Sequence, residues 1–452
     1  MNENIKRFNS HSDYEKWKAT DGWDYPNVSF IDSLTEQALY YNNEFIMRWS
    51  NNDTVITPTF LGDISHEEFK AWVDQCSNPC EIKKDGTEFA YLKHTDLTKK
   101  LDGTDSHYGE DYPDFLQFSE IENINVGLFQ NTKEGWCEVR FNFDKGCPKG
   151  FHKWFAHPYW NVEKKKYTKL IGRYNIIPVD TVSTIATNGI TINAGFNMNP
   201  TNGSFTYTYE KENLSANAIL SGINNTLTTE ATEAGMKLLE ITYWEHLVMS
   251  YIFAAYFKTF DSQSIALGLQ DDWRNFCGNY PNGAIDSATT FLKGAGDSHF
   301  AVASTTNNSN QIYKFLWLDM PLFGQQWIWG AGFVGNSAVI PGQYWMTFDD
   351  LVANKAATMS KDDADVIGQY PANISGTYIK TMDLFGVPQT AGGSSSTGLY
   401  DGFWNTVPQD NCIAYLGGIS SDGLLCGSWA RIFNNGASNA TWGPRGRATM
   451  VR

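Results

Sequence analysis

The period of the apolar positions changes several times along the chain. Trp244, Leu247, Val248, Tyr251, Ile252, Ala255 and Tyr256 recur at three- and four-residue spacing, and Thr242 stands three residues before Glu245, as in a capping box. The pattern predicts a long amphipathic helix from about Thr242 to Lys258, its wide aromatic stripe laid along a sheet core. A second capping-box spacing, Ser65 to Glu68, predicts a helix within Asp63 to Val73. Otherwise the stretch from Glu44 to Gly150 holds short β-prone runs (Phe45 to Trp49, Thr54 to Ile56, Glu138 to Phe141) between turn signals such as Lys84-Asp85-Gly86 and Leu101-Asp102-Gly103. Beyond Asp350 helical periodicity fades, apart from a short stretch near Ala364. From Thr381 to Arg452 the text is rich in Gly, Ser, Asn and aromatic residues and reads as short strands joined by long ordered loops.

The segment Phe8 to Asn42 is polar and aromatic, with Pro26-Asn27-Val28-Ser29-Phe30-Ile31 at its centre. It is too short and too polar to bury a core alone, so it either packs onto the rest of the chain or docks into a partner as the arm of an assembly. The expected organisation is an N-terminal arm (1–42), a β-rich middle region (43–150) and a larger domain (151–452). No repeat at solenoid or propeller period is present, which argues against a parallel β-helix.

With 452 residues, 42% hydrophobic and 15% aromatic, the chain has ample material for a core. Its 50 acidic against 34 basic residues leave a net charge of -16, which repels phosphate backbones and anionic lipid and argues against nucleic-acid or membrane-surface partners. The longest nearly apolar run, Leu247 to Phe257, is far below the roughly 20 residues a membrane-spanning helix needs. A soluble chain made in the cytoplasm without a Sec-type signal is expected, and no membrane insertion. The seven cysteines, Cys76, Cys80, Cys137, Cys147, Cys277, Cys412 and Cys426, are odd in number and scattered, as for reduced and mostly buried thiols.

Signatures of chemistry are absent from the text: no His-Glu-x-x-His, paired Cys-x-x-Cys, EF-hand loop, nucleophile elbow, Walker loop or dinucleotide fingerprint occurs. No catalytic residue, metal or cofactor is expected. Carboxylate pairs such as Asp271-Asp272 and Asp362-Asp363 read as solvated acidic faces, although composition alone leaves a glycosidase pair open. The tail from Gly417 to Arg447 spaces rigid aromatics and arginines with small residues, which suits either a recognition surface or a Gly-rich loop packed by its own aromatics. On the first reading Trp429, Arg431, Phe433, Thr441, Trp442 and Arg445 share one exposed face with Arg447, and Tyr400, Asp401 and Trp404 lie on loops beside it. Arg431, Arg445, Arg447 and Arg452 are the only charged residues after Asp422, which favours an anionic or carboxylate-bearing ligand.

The tail resembles the variable region of proteins diversified by diversity-generating retroelements, through Gly427-Ser428-Trp429, the stretch Asn434 to Asn439, and Trp442 to Arg447. Other blocks agree in order: His157-Pro158 with Gly172-Arg173-Tyr174, the Leu239 to Gly268 helix unit, and Asp319, Gly324, Trp327, Trp329 and Gly332. Gln325 and Ile328 depart from the family pattern at positions linked to a calcium site. The leader, with its Pro-Asn-Val-Ser core, is similar to those opening virion proteins of phages of gut Bacteroidales. The enzyme branch of the fold, the formylglycine-generating oxidases, needs two closely spaced cysteines in the C-terminal part, whereas Cys412 and Cys426 lie fourteen apart. The resemblance implies an α+β, C-type lectin-like (formylglycine-generating-enzyme-like) domain over 151–452 with a variable-region-like tail at 417–452. By function it implies a phage receptor-binding protein of tail-fibre or adhesin type, a homotrimer carried on the virion, joined to other virion proteins through its arm and binding a host-surface protein or glycan. A glycan-degrading tail enzyme and a structural virion decoration protein are the alternatives.

Overall fold

The computed structural model describes residues 28–32, 37–41, 43–92, 115–131, 134–173, 215–224, 226–268, 299–304, 311–324, 327–407, 409–439 and 444–452. The expected α+β, C-type lectin-like fold is not what forms. Among these residues the chain is mostly β, 40% strand against 18% helix, arranged in several sheets of which one is nearly a closed barrel. The physical reason lies in the β-branched and aromatic runs between turn residues, which pair edge to edge and leave one long helix to be enclosed.

That helix, Tyr243–Phe257, starts as the sequence predicts: Thr242 accepts from the Glu245 amide while the Glu245 carboxylate accepts from the Thr242 amide, and Lys258 ends it in the left-handed conformation. It is not amphipathic in place. Every residue from Tyr243 to Ala255 is buried, including Glu245, His246 and Ser250, so the helix is a central rod with neighbours all round. Tyr251 meets Trp49 at 5.7 Å, Tyr243 stacks on Phe333 at 4.5 Å, and Phe253 meets Phe315 edge-on at 5.1 Å. Trp154 and Trp244 close another flank, their indole N–H groups donating to the carbonyls of Glu245 and Lys153, both at 3.0 Å. The shorter helix His66–Gln75 carries the expected Ser65/Glu68 capping box.

Strands from both sides of Gly150 share sheets. Phe151–Lys153 pairs with Asn125–Asn131 in a five-stranded antiparallel sheet that also holds Trp136–Asn142, Glu44–Ser50 and Thr59–Gly62. In a seven-stranded sheet Lys166–Gly172 lies between Phe115–Glu122 and the C-terminal strand Ala448–Val451, which in turn pairs with Lys237–Glu240. Of the arm, only the backbone of the hairpin Val28–Asp32/Gln37–Tyr41 is described; the rest of 1–42 lies outside the described residues. Thr54 to Ile56 forms no strand beyond a single bridge from Val55 to Gly398, and the helical signal near Ala364 is the short 3-10 turn Lys361–Asp363.

The largest sheet curls on itself. Its order is Val366–Tyr370, Gly342–Met346, Trp327–Asn336, Cys412–Leu416, Arg431–Gly436, Gly402–Trp404, Thr377–Met382 and Pro388–Ala391, with Pro444–Arg445 added beside Trp327–Asn336. Alternate residues fill the inside with aromatic rings: Phe433 stacks on Phe333 at 4.7 Å and meets Tyr370 at 5.0 Å and Phe403 at 5.5 Å.

Candidate ligand-binding cleft

The barrel is left open between its first and last strands. Pro388 has no N–H to give to a ladder, and the pairing of Pro388–Ala391 with Thr377–Met382 shifts register twice, turning this edge strand away from Val366–Tyr370. The seam is bridged by a side chain instead, with Gln389 Nε2 donating 2.8 Å to the carbonyl of Gln369. A cleft of about 500 Å³ runs along it, with Gln343, Gln369 and Gln389 on its walls, Asp383 within it and Lys361 and Ile367 at its sides.

A repeated tripeptide builds this wall. Gly342-Gln343-Tyr344 and Gly368-Gln369-Tyr370 pair antiparallel, so that Gly342 faces Tyr370, Gln343 faces Gln369 and Tyr344 faces Gly368. Each tyrosine lies over the other strand's glycine: a Cβ on Gly342 would stand 2.5 Å from the Tyr370 ring, and one on Gly368 2.4 Å from the Tyr344 ring. The tyrosines are thereby buried in the barrel, and strand alternation turns the two glutamines to the opposite face.

Asp383 is fixed by four donors. Tyr344 donates its phenol at 2.5 Å and Gln389 its amide at 3.4 Å to Oδ2, and the backbone N–H groups of Phe385 and Val387 donate to Oδ1, both at 2.9 Å. Burial raises the carboxyl to about 6, against the pull of these hydrogen bonds. Burial likewise pushes the Tyr344 phenol far up, so it stays a donor. The cleft thus offers three amides that donate and accept, one carboxylate, one ammonium, and the apolar surface of Ile367, which is 56% exposed. This is the complement of a ligand rich in hydroxyl groups with apolar C–H faces. Among the described lining residues Asp383 is the single carboxylate, whereas glycoside cleavage uses two.

Of the residues expected to form an exposed recognition face, those whose side chains are described are placed differently. Arg431–Gly436 is an interior strand, paired with Cys412–Leu416 on one side and Gly402–Trp404 on the other, so Arg431 and Phe433 point into the core and are fully buried. The Arg431 Nη1 donates 2.9 Å to each of the Ser428 and Ala430 carbonyls. Trp429 is buried under the central helix between Tyr251 and Phe260, 5.1 and 5.4 Å away. Arg447, also buried, stands at the start of the interior strand Ala448–Val451 and donates 2.7 Å to the Gly172 carbonyl. Asp401 is buried beneath the tail, accepting from the Trp429 amide at 2.8 Å, and burial pushes its carboxyl well above the usual carboxylate range. Tyr400 and Trp404 are half-buried, Trp404 edge-on to Trp327 at 5.4 Å. Thr441 and Trp442 lie outside the described residues, and of Arg445 only the backbone is described. The described aromatics of the tail are packed by rings from elsewhere in the chain, Trp429 by Tyr251 and Phe260 and Phe433 by Phe333, Tyr370 and Phe403.

The most catalytic-looking constellation lies elsewhere and is committed to structure. Lys169, fully buried, forms ion pairs with both Glu245 and Asp350. Burial opposes its charge, but the two carboxylates hold the ammonium above its usual range. His157 Nδ1 stands 2.5 Å from Asp350, and with Asp349 these residues are the only group of metal-type ligands gathered among the described residues. Asp349 Oδ1 is already accepting from the Leu351 and Val352 amides, at 2.9 and 3.0 Å, and Lys169 supplies the positive charge beside Asp350.

No protein-family model matches the chain, and no curated protein matches it. No helix among the described residues is long and apolar enough to cross a membrane. Sequence alone does not gather the cleft residues, because they come from four separate segments and no single glutamine carries a signal. The repeated Gly-Gln-Tyr is the signal that was there to read.

Proposed function

We propose that this chain is a receptor-binding protein of adhesin type, carried as a homotrimer on a phage virion, that seats a hydroxyl-rich host-surface ligand in the seam cleft. The observation that carries the reading is the convergence of Gln343, Gln369, Gln389 and Asp383 on one open groove beside the exposed Ile367. Amide and carboxylate groups of this kind fix the orientation of vicinal hydroxyls, and an apolar neighbour covers the C–H face between them. The virion placement rests on the leader around Pro26-Asn27-Val28-Ser29, and trimerisation on the gain that several weak sites make together. Attachment of the purified chain to host cells, compared with Gln343→Ala and Gln389→Ala, tests the proposal. Both substitutions are expected to weaken attachment about tenfold or more, with the melting temperature unchanged by Gln343→Ala and slightly lowered by Gln389→Ala, which removes the bridge across the seam. Unaltered attachment by both variants, or cleavage of a host glycan by the wild-type chain, would overturn it.

A further inference from the structure

Away from the cleft, the hairpin formed by Tyr159–Asn161 and Lys166–Gly172 turns a second kind of surface to solvent. Its register sets Trp160 directly opposite Tyr167, with ring centroids 4.9 Å apart and planes at 67°, so the two rings make a corner. Both are about two-fifths exposed (41% and 40%), and Val162 next to them is 77% exposed. Among the described residues Trp160 and Tyr167 are the only aromatics left as open as this. Lys153 places its ammonium 5.3 Å from the centre of the Tyr167 ring, at the same corner.

The charge around this corner runs against that of the whole chain. Residues 144–173 hold eight lysines and arginines against two acidic residues, within a protein of net charge -16. Half of these cations are committed within the fold: Lys164 is paired with Glu120, Lys166 with Glu122 and Lys169 with Glu245 and Asp350, and Arg173 is buried. Lys153 and Lys165 are left without a carboxylate partner among the described residues, Lys165 exposed on the turn of the hairpin at φ 54°.

We infer that this corner is a binding site for an acidic polysaccharide. A sugar ring offers one C–H face to an aromatic ring, and Trp160 is open to receive it. Carboxylate or phosphate groups along the same polymer pair with Lys153 and Lys165, whose ammonium groups have no competing carboxylate. Neither group alone selects this ligand: a neutral glycan leaves the lysines unused, and a simple anion leaves the aromatic corner unused. The net negative charge of the remainder adds selectivity by repelling polyanions that do not meet the corner, and binding is accordingly weakened by salt. The inference uses none of the cleft residues.

Affinity electrophoresis and titration calorimetry of the full chain with polygalacturonate, using dextran as the neutral control, test it. Polygalacturonate is expected to bind and dextran not, with Trp160→Ala and Lys165→Glu each weakening binding about tenfold or more at an unchanged melting temperature. Gln389→Ala is expected to leave polygalacturonate binding as it is, which separates this site from the cleft. Absence of polygalacturonate binding, or equal binding by wild type and both variants, would sink the inference. So would co-sedimentation with phosphatidylserine vesicles in place of polysaccharide binding, which assigns the corner to a lipid surface. A fall in oligomeric mass on Trp160→Ala would equally overturn it, by making the corner a contact between copies.

Discussion

Arg431 shows how a residue type can mislead about its role. Its guanidinium donates through Nη1 to the carbonyls of Ser428 and Ala430 and lies 5.5 Å over the Tyr243 ring, with no water-facing surface and with Nη2 buried without a hydrogen-bond partner. Truncating it removes charge-assisted hydrogen bonds and leaves a hole, and Phe433, touched by three other rings, loses more contact still. Arg431→Ala and Phe433→Ala are each expected to lower unfolding free energy by about 3 kcal/mol or more in urea titrations, while ligand binding by the folded fraction is retained. A loss of binding without loss of stability would return these residues to a recognition role. Asp383 gives a pH test. Its carboxyl is raised by burial to about 6 from an ordinary 3.8, so folding favours the neutral acid. The stability it contributes is full below pH 3.8 and is lost as pH rises through about 6. Measured from pH 3 to 7, roughly the span of that titration, the melting temperature of the wild type should fall relative to Asp383→Asn and then run parallel to it.

Among the elements, the central helix depends on partners at both the local and the long range. Its start was legible, because the capping box involves Thr242 and Glu245 only three residues apart. Its surroundings were not: Glu245, His246 and Ser250 look like a polar face, yet each is buried against segments distant in sequence, Glu245 on Lys169, His246 on the Leu322 carbonyl and Ser250 on the Ser428 carbonyl. Glu245 is at once the capping carboxylate and a partner of Lys169, so the same side chain ties the helix start to the seven-stranded sheet and, through Lys169, to Asp350. Lys169→Met strands two carboxylates in the core and is expected to cost about 3–5 kcal/mol, read by denaturant unfolding. Adding Glu245→Gln and Asp350→Asn removes the stranded charges, and most of that loss should be regained.

At the scale of the whole molecule, pairing across Gly150 makes the middle region and the larger domain one hydrogen-bonded framework. A fragment of residues 151–452 lacks Ser77–Lys83 and Phe115–Glu122, leaving one edge of Lys166–Gly172 unpaired, and it also lacks all but one strand of the five-stranded sheet. It is expected to show no cooperative transition in calorimetry and to bind a hydrophobic dye, where the full chain melts cooperatively. The sequence by itself determined what depends on neighbours along the chain: both capping boxes, the turn residues that break strands, the balance of charge, and the small-and-aromatic texture of the tail. Tertiary structure alone decided which face of each strand turned inward. Alternation marks two faces on Arg431–Gly436 without saying that strands on both sides would close it into a barrel and bury Arg431 and Phe433. It decided equally that three glutamines from Gly342–Met346, Val366–Tyr370 and Pro388–Ala391 would meet, since only a sheet that curls on itself brings its first and last strands together.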